Sequence, residues 1–425
     1  KMYNLIKKLF PINRSLTGNG VRESLDIINN SLIGYNFTIH EIKSGESVYD
    51  WTIPKEWNIK DAYILTPDGN KIADFKSNNR HVVGYSTPID KVISKDELDQ
   101  HIYYLENQPN AIPYVTSYYR ENWGFCLTSD EYEKLPDGDY RVYIDSELKP
   151  GSLTYADLII PGYSDKEIMF STYICHPSMA NNELSGPALM TALINYVTNI
   201  DRYYSYRFVM VPETIGSITY ISKNLSSLQK NVIAGYNLTC VGDDNNISYV
   251  PTRYGNTLSD KIALHVLDNL SSTYIRYSFL DRGSDERQYC SPGVDLPIAS
   301  VMRSKYGEYE EYHTSLDNLN YISPEGLQGS FDIYVKIIHI LENNKRPKIN
   351  VLCEPQLGKR GLYPTTSIKG GADQVRNMMN VLAYSDGSNS ILDISNITNL
   401  SFQTVSTIIK KIQDVDQHLI SLEPC

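Results

Sequence analysis

Residues 155–345 alternate between two kinds of hydrophobic pattern. Short β-prone apolar runs occur at DLIIPG, EIMFSTYI, YRFVMVPE, VIAGYNLTCV and LPIASVM. Between and after them lie segments with apolar residues at helical spacing: PALMTALINYV, SITYISKNL, TLSDKIALHVLDNL and SPEGLQGSFDIYVKIIHILENN. This alternation predicts a sheet flanked by helices. Residues 1–35 read as helical, with Val21, Leu25, Ile28 and Leu32 on one face. Residues 36–150 change period. Alternating runs such as FTIHEIKSG, DAYILTPDG and GDYRVYIDSEL, broken by Asp-Gly and Asn-Asn turns, predict a mostly β segment.

A polar stretch, NNKRPKIN, predicts a boundary near Arg346-Pro347. Beyond it the tail is helical from Gln374. The run ILDISNITNLSFQTVSTIIKKIQD predicts two short helices about a turn at Asn399-Leu400-Ser401, a helix-turn-helix. Its expected core is Ile391, Ile394, Ile397, Leu400, Val405, Ile408 and Ile412. Only Lys410 and Lys411 are cationic on the second helix, so a packing or interaction domain is expected rather than a DNA reader.

Composition narrows the class. The chain has 425 residues, 41% hydrophobic and 21% charged, as in ordinary globular proteins. Its net charge of −11 argues against a dedicated nucleic-acid binder. Six scattered cysteines form no CxxC pair, so neither a thiolate zinc knuckle nor a disulfide framework is expected. The first residues, KMYNLIKKLFPINRS, lack the apolar run of a signal peptide, and no segment reaches 18 uninterrupted apolar residues. A cytoplasmic protein without membrane spans is expected.

The chemistry sits at the predicted strand ends. In order these carry Cys175-His176 and then Asn182-Glu183, Glu213, Asp243-Asp244, and a cluster ending at Tyr312-His313 and Asp317. Doubly wound sheets bring such ends together along one edge. Imidazole and carboxylate suit a hydrolytic zinc site, in which the metal lowers the pKa of water toward about 7. A carboxylate off the metal would serve as general base, and Glu213, after Pro212 at a strand end, fits that role. His265 and His339 fall mid-helix and read as structural.

The blocks CHPSMANNELSGP, VPETIGS, VGDD, GSDERQYCSPG and EYHTSLDN together resemble the aminopeptidase-like family of unknown function. That family is a distant relative of the zinc exopeptidases that include the M28 aminopeptidases. RSLTGNGVRESL, VYDWTIPKEW, HVVGYSTPID and IPYVTSYYRENWGFCLTS resemble its first segment and inserted domain, and the tail resembles its winged helix. The resemblance implies an α/β fold: a zinc-exopeptidase-like mixed sheet flanked by helices in residues 1–40 and 131–345. It implies a mostly β inserted domain at 41–130 and a winged-helix-like domain at 346–425.

Carried over, His176 and His313 match the metal histidines and Glu213 the general base. Asp243 is the nearest carboxylate to a further ligand, although a different alignment places Thr239 there. The M28 bridging aspartate falls on Asn182, with the carboxylate one place on at Glu183. The second of the paired M28 glutamates falls on Thr214. Both losses strike the second metal, so one zinc is expected, held by His176, His313, Asp243 and either Asn182 or Glu183. The resemblance places substrate beside Asp285, Arg287 and Tyr312. Arg287 would grip a carboxylate, and Asp285 or Glu286 a free α-amine. Tyr118, Tyr119, Arg120 and Trp123 of the insertion would either close over the cleft or form its own small core.

The function expected is hydrolysis of an amide in a small peptide or aminoacyl conjugate, without membrane or nucleic-acid partners. Association with further copies of the chain is left open. Two rivals stand beside it: a binding or regulatory module that does not turn over, and an amide-acting enzyme of surface-polysaccharide assembly.

Overall fold

The computed structural model describes residues 1–362 and 371–425. These form two compact units, Lys1–Asp260 with Thr273–Asp332, and Lys261–Ser272 with Ile333–Cys425.

The first unit is built on an eight-stranded mixed sheet. Its centre is four parallel strands in the order Tyr204–Val211, Ser164–Tyr173, Val232–Asn237 and Ile298–Met302. Every residue of Tyr204–Val211 and of Ile298–Met302 is buried, which is why these strands read as continuous apolar runs rather than alternating ones. Antiparallel strands extend both sides: Ser152–Ile160 and Thr38–Lys43 on one, Ser248–Val250 on the other. Helices Ser185–Thr198 and Ile215–Asn231 pack on the central strands.

The β-rich segment forms a separate four-stranded antiparallel sheet around Glu56–Leu65 and Asp139–Lys149. Its strands therefore run past residue 130, where the insertion was expected to end. Ala62, Ile64, Phe125, Val142 and Ile144 give it a core of its own. Trp123 packs on that core and stacks on His101 at 3.7 Å, so it does not cover a cleft.

Arg22 ties this sheet to the main one. Its guanidinium donates to both oxygens of Glu56 at 2.9 and 2.8 Å and to Ser152 Oγ at 3.0 Å. The paired Arg22 hydrogen bonds, opposed by partial burial, hold the Glu56 carboxyl down at about 2. A lowered carboxyl stabilises the fold above its usual pKa, and that contribution fades as pH falls from about 4.5 toward about 2. Glu56→Gln is expected to cost roughly 1–3 kcal/mol at neutral pH. Urea denaturation at pH 7 and pH 3 checks this: the gap between variant and parent should shrink at the lower pH.

In the second unit, helices Gly371–Ala383, Ile391–Thr398 and Phe402–Val415 accompany the antiparallel pair Lys345–Ile349 and Ile420–Pro424. The stretch expected to be a bare boundary is thus an edge strand, with Pro347 in it. A capping box of Ser390 with Asp393 starts one helix, and Asn399, at φ 53°, makes the left-handed turn that ends it. Ile391, Ile394, Val405 and Ile412 are buried as expected, whereas Ile397 is 45% exposed. Ile409, not Ile408, completes the buried face with Phe402, Val405 and Ile412. His265 is structural: Nδ1 lies 2.8 Å from Asn396 Oδ1, and Nε2 accepts from the Phe402 N–H at 3.0 Å.

Candidate metal centre

The central strands deliver their carboxyl ends side by side, so His176, Glu213, Thr239 and the loop after Met302 converge on one edge. After Ile174 the chain turns through His176 into a fully buried π-helical turn, Ala180–Leu184. Such single turns recur at functional sites. Asp317 fixes the turn, its carboxylate accepting from the N–H groups of Asn181 and Asn182 at 2.6 and 2.9 Å. Gly186 allows the following helix to sit directly on the strands. A Cβ there would fall 2.3 Å from Thr172 Oγ1 and 2.4 Å from the Leu238 carbonyl.

His176 is 2% exposed. Its Nδ1 lies 2.8 Å from Glu183 Oε2. The other oxygen, Oε1, accepts from the Cys175 N–H at 2.7 Å and stands 3.3 Å from Arg14 Nε. Arg14 also donates to the His176 carbonyl. Burial favours the neutral ring, but Cys175 and Glu183 outweigh it and hold the ring pKa well above its usual value. Its outward nitrogen, Nε2, faces Glu213 Oε2 at 3.5 Å.

His313 approaches from the loop after Met302. Burial, reinforced by His176, drives its pKa down to about 3, so the imidazole is neutral at ordinary pH. Its Nε2 is buried and has no partner among the described residues. The two imidazole centroids are 5.6 Å apart. Tyr114 stands edge-on to both, at 5.3 and 5.2 Å, and its N–H donates to the His313 carbonyl. Tyr118 Oη is 3.0 Å from Tyr114 Oη, while Tyr119 bonds instead to the Thr52 carbonyl. Of the insertion's aromatics, then, Tyr114 and Tyr118 reach the site. Tyr312 stacks flat on His313 at 3.9 Å.

Glu213 is pushed up by burial, against the pull of His176 and Arg287. The next residue, Thr214, has φ 65°. That is a true outlier for a β-branched residue, of the kind concentrated at functional sites. Asp285 holds it there, Oδ1 accepting from the Thr214 N–H at 2.8 Å and from Ser217 Oγ at 2.7 Å. Asp285 Oδ2 is buried without a partner among the described residues, and burial with Glu213 raises this carboxyl to about 7. Arg287 donates through Nε to Ser284 O and through Nη2 to Thr214 Oγ1. That side of its fork is therefore taken.

Two expected ligands are corrected. Asp243 is fully buried, and its oxygens accept from Asn181 Nδ2, the Asn245 N–H, and the N–H and Oγ of Ser304. Four donors fill the lone-pair positions of a carboxylate, leaving none for a metal. Glu183 is likewise committed to His176, Cys175 and Arg14. Glu286, an expected amine partner, is tied to Gly283, Ser284 and Tyr306.

Among the described residues, Cys175, His176 and Glu183 are the one trio of metal-type side chains with donor atoms within 4.8 Å of one another. It is a hydrogen-bonded brace. Burial keeps the Cys175 thiol protonated, with a pKa of about 12, and Arg14 already supplies the cation beside Glu183. The nitrogens that a metal would use lie on the other side of the ring: His176 Nε2, once its proton is displaced, and the orphaned His313 Nε2. Asn182 Oδ1, like His313 Nε2, is buried without a partner among the described residues. Two imidazole nitrogens and an oxygen are donors of the type that zinc takes, with a position left open. Asn182, Tyr173, Thr239 and Cys240 form a neutral hydrogen-bonded network.

Fold and site define an aminopeptidase-like α/β protein with a C-terminal winged helix. Over residues 3–344 the chain matches the family described as "Domain of unknown function (DUF4910)", to which it belongs, and residues 345–421 match a winged helix-turn-helix. A relative from Clostridium acetobutylicum, named "Putative polysaccharide biosynthesis protein with aminopeptidase-like domain", is 48% identical over 409 residues, covering 95% of this chain and 93% of its own. A crystal structure of a "putative peptidase" from the same species superposes with TM-score 0.92 at 46% identity, over 99% of this chain and 96% of that one. A zinc aminopeptidase from Bacillus subtilis shares the fold, with TM-score 0.56 at 13% identity over 80% of this chain and 94% of its own. Among the described residues no helix is long and apolar enough to cross a membrane.

Proposed function

We propose that the chain hydrolyses an amide bond in a small peptide or aminoacyl conjugate, using one zinc ion held by His176, His313 and Asn182. The observation that carries this reading is the buried, neutral His313 with its unpartnered Nε2, set opposite a His176 whose far nitrogen is anchored by Glu183. When bound, zinc would polarise the carbonyl and acidify water. Glu213 would take the proton from the attacking water and return it to the leaving nitrogen, and its raised pKa suits a group that must do both. The open Asp285 Oδ2 would receive a substrate ammonium, and Tyr114 and Tyr118 would exclude water from above the histidines.

Elemental mass spectrometry on untagged protein tests the site. One zinc per chain is expected in the parent, and its loss in both His176→Ala and His313→Ala. A parent that takes up no metal after incubation with zinc, or a variant that keeps a full equivalent, would refute the shared ion. A second reading, an amide-acting enzyme of surface-polysaccharide assembly, is favoured by the name of the Clostridium relative. Metabolite profiling of a deletion strain separates it from peptide hydrolysis.

A further inference from the structure

A cavity of about 1040 Å³ borders the loop that carries His176 but does not contain the histidines. Ser178 lines it, together with the N-terminal segment around Phe10, the turn Phe75–Arg80 and the start of strand Glu56–Leu65. Its charge is opposite to that of the chain. Lys8, Lys60, Lys76 and Arg80 line it against Glu23 and Glu147, whereas the whole protein carries −11. Lys76 is taken by Asp61 and Glu147 by Lys149. Lys8, Lys60 and Arg80 have no ion-pair partner among the described residues.

Arg80 is the decisive group, at 4% exposed. Nη1 donates to the Ser178 carbonyl and Nε to Asn78 Oδ1, and the guanidinium lies over the Phe10 ring. Nη2 has no partner among the described residues. The one carboxylate acting on Arg80 is Asp317, whose oxygens are occupied by Asn181, Asn182 and Tyr309. Burying a guanidinium without a counter-ion is strongly disfavoured unless an anion arrives from outside. The rest of the lining carries side-chain amides: Asn13, whose side chain makes no hydrogen bond among the described residues, and Asn19, Asn58, Asn79 and Asn318, which spend part of their capacity on protein partners and keep the remainder for a ligand. Amides both donate and accept, which matches hydroxyl groups.

We propose that this cavity binds a small phosphorylated, hydroxyl-rich metabolite, with its phosphate on Arg80 and its hydroxyls on the asparagines. The volume accommodates a sugar phosphate. The site is separate from the proposed zinc centre and does not depend on that reading.

Isothermal titration of the full chain with glucose 1-phosphate, glucose and inorganic phosphate tests it. Saturable binding of glucose 1-phosphate is expected, weakened at least tenfold in Arg80→Gln and in Lys60→Glu. Lys60 is exposed, so that variant should fold even if loss of the Arg80–Ser178 contact unsettles the first. Glucose alone should bind at least tenfold more weakly than its phosphate, and so should inorganic phosphate. Equal binding of inorganic phosphate would overturn the hydroxyl part of the proposal. No saturable binding of glucose 1-phosphate, or binding untouched by both substitutions, would overturn the site. Binding that disappears on chelation of metal would move the ligand to the zinc centre and also overturn it.

Discussion

Glu213→Gln is expected to lower the hydrolysis rate by about 10²–10⁴, the usual contribution of a positioned proton shuttle. Metal content should not change. The substitution keeps the side chain's shape and removes only its ability to carry the proton. Its backbone contact, the N–H donated to Cys175 Sγ, is made without the carboxylate. The side chain is 20% exposed and makes no buried ion pair except the approach to His176, so folding should survive. Steady-state rates of parent and variant on the same aminoacyl substrate, each loaded with one equivalent of zinc, decide the matter. A metal-loaded variant as fast as the parent would remove Glu213 from the chemistry. A variant that instead lost its zinc would make Glu213 a ligand, and the base would have to be sought elsewhere.

The strand ends were legible because buried parallel strands leave uninterrupted apolar runs, and the residue following each run is placed by the topology. His176 and Glu213 are therefore placed just past strand ends by pattern alone. What periodicity cannot show is how a side chain spends its hydrogen bonds. Asp243 lies in the loop six residues past the end of strand Val232–Asn237, not at the strand end expected, and Ser304, Asn181 and Asn245 consume its oxygens, Ser304 from 61 positions away. Tyr114 was missed for a related reason. It reaches the histidines only because Pro113 pairs with Thr314 and Ile112 with Ser315, joining the insertion to the His313 loop. Arg14 belonged to a quoted motif, RSLTG, but only the folded chain shows its guanidinium behind His176. Likewise Lys345–Ile349 is a strand because Ile420–Pro424 supplies a partner. Its own Lys, Arg and Pro content argues against one.

Glu183→Gln is expected to have the second large effect, in two separable parts. The Arg14 and Glu183 side chains are both fully buried. Arg14 has a further orphan already, Nη2, so it relies on Glu183 for its charge. Removing one partner of a buried pair costs about 3–5 kcal/mol, because the other charge stays behind unpaired. The second part concerns the metal. A carboxylate on the far nitrogen of a ligating histidine fixes its tautomer and orientation, and losing it costs about 10–100-fold in metal affinity. The introduced amide can turn either its NH₂ or its carbonyl toward the ring, so it no longer dictates which imidazole nitrogen keeps the proton. Urea denaturation of the apo protein measures the first part and competition with a zinc chelator the second. Adding Arg14→Met to Glu183→Gln should restore much of the stability, since the stranded charge is gone, but none of the zinc affinity. If Glu183→Gln loses stability yet binds zinc as tightly as the parent, the pair is only a core brace. His176 would then be oriented by its packing against Tyr114 and Tyr173.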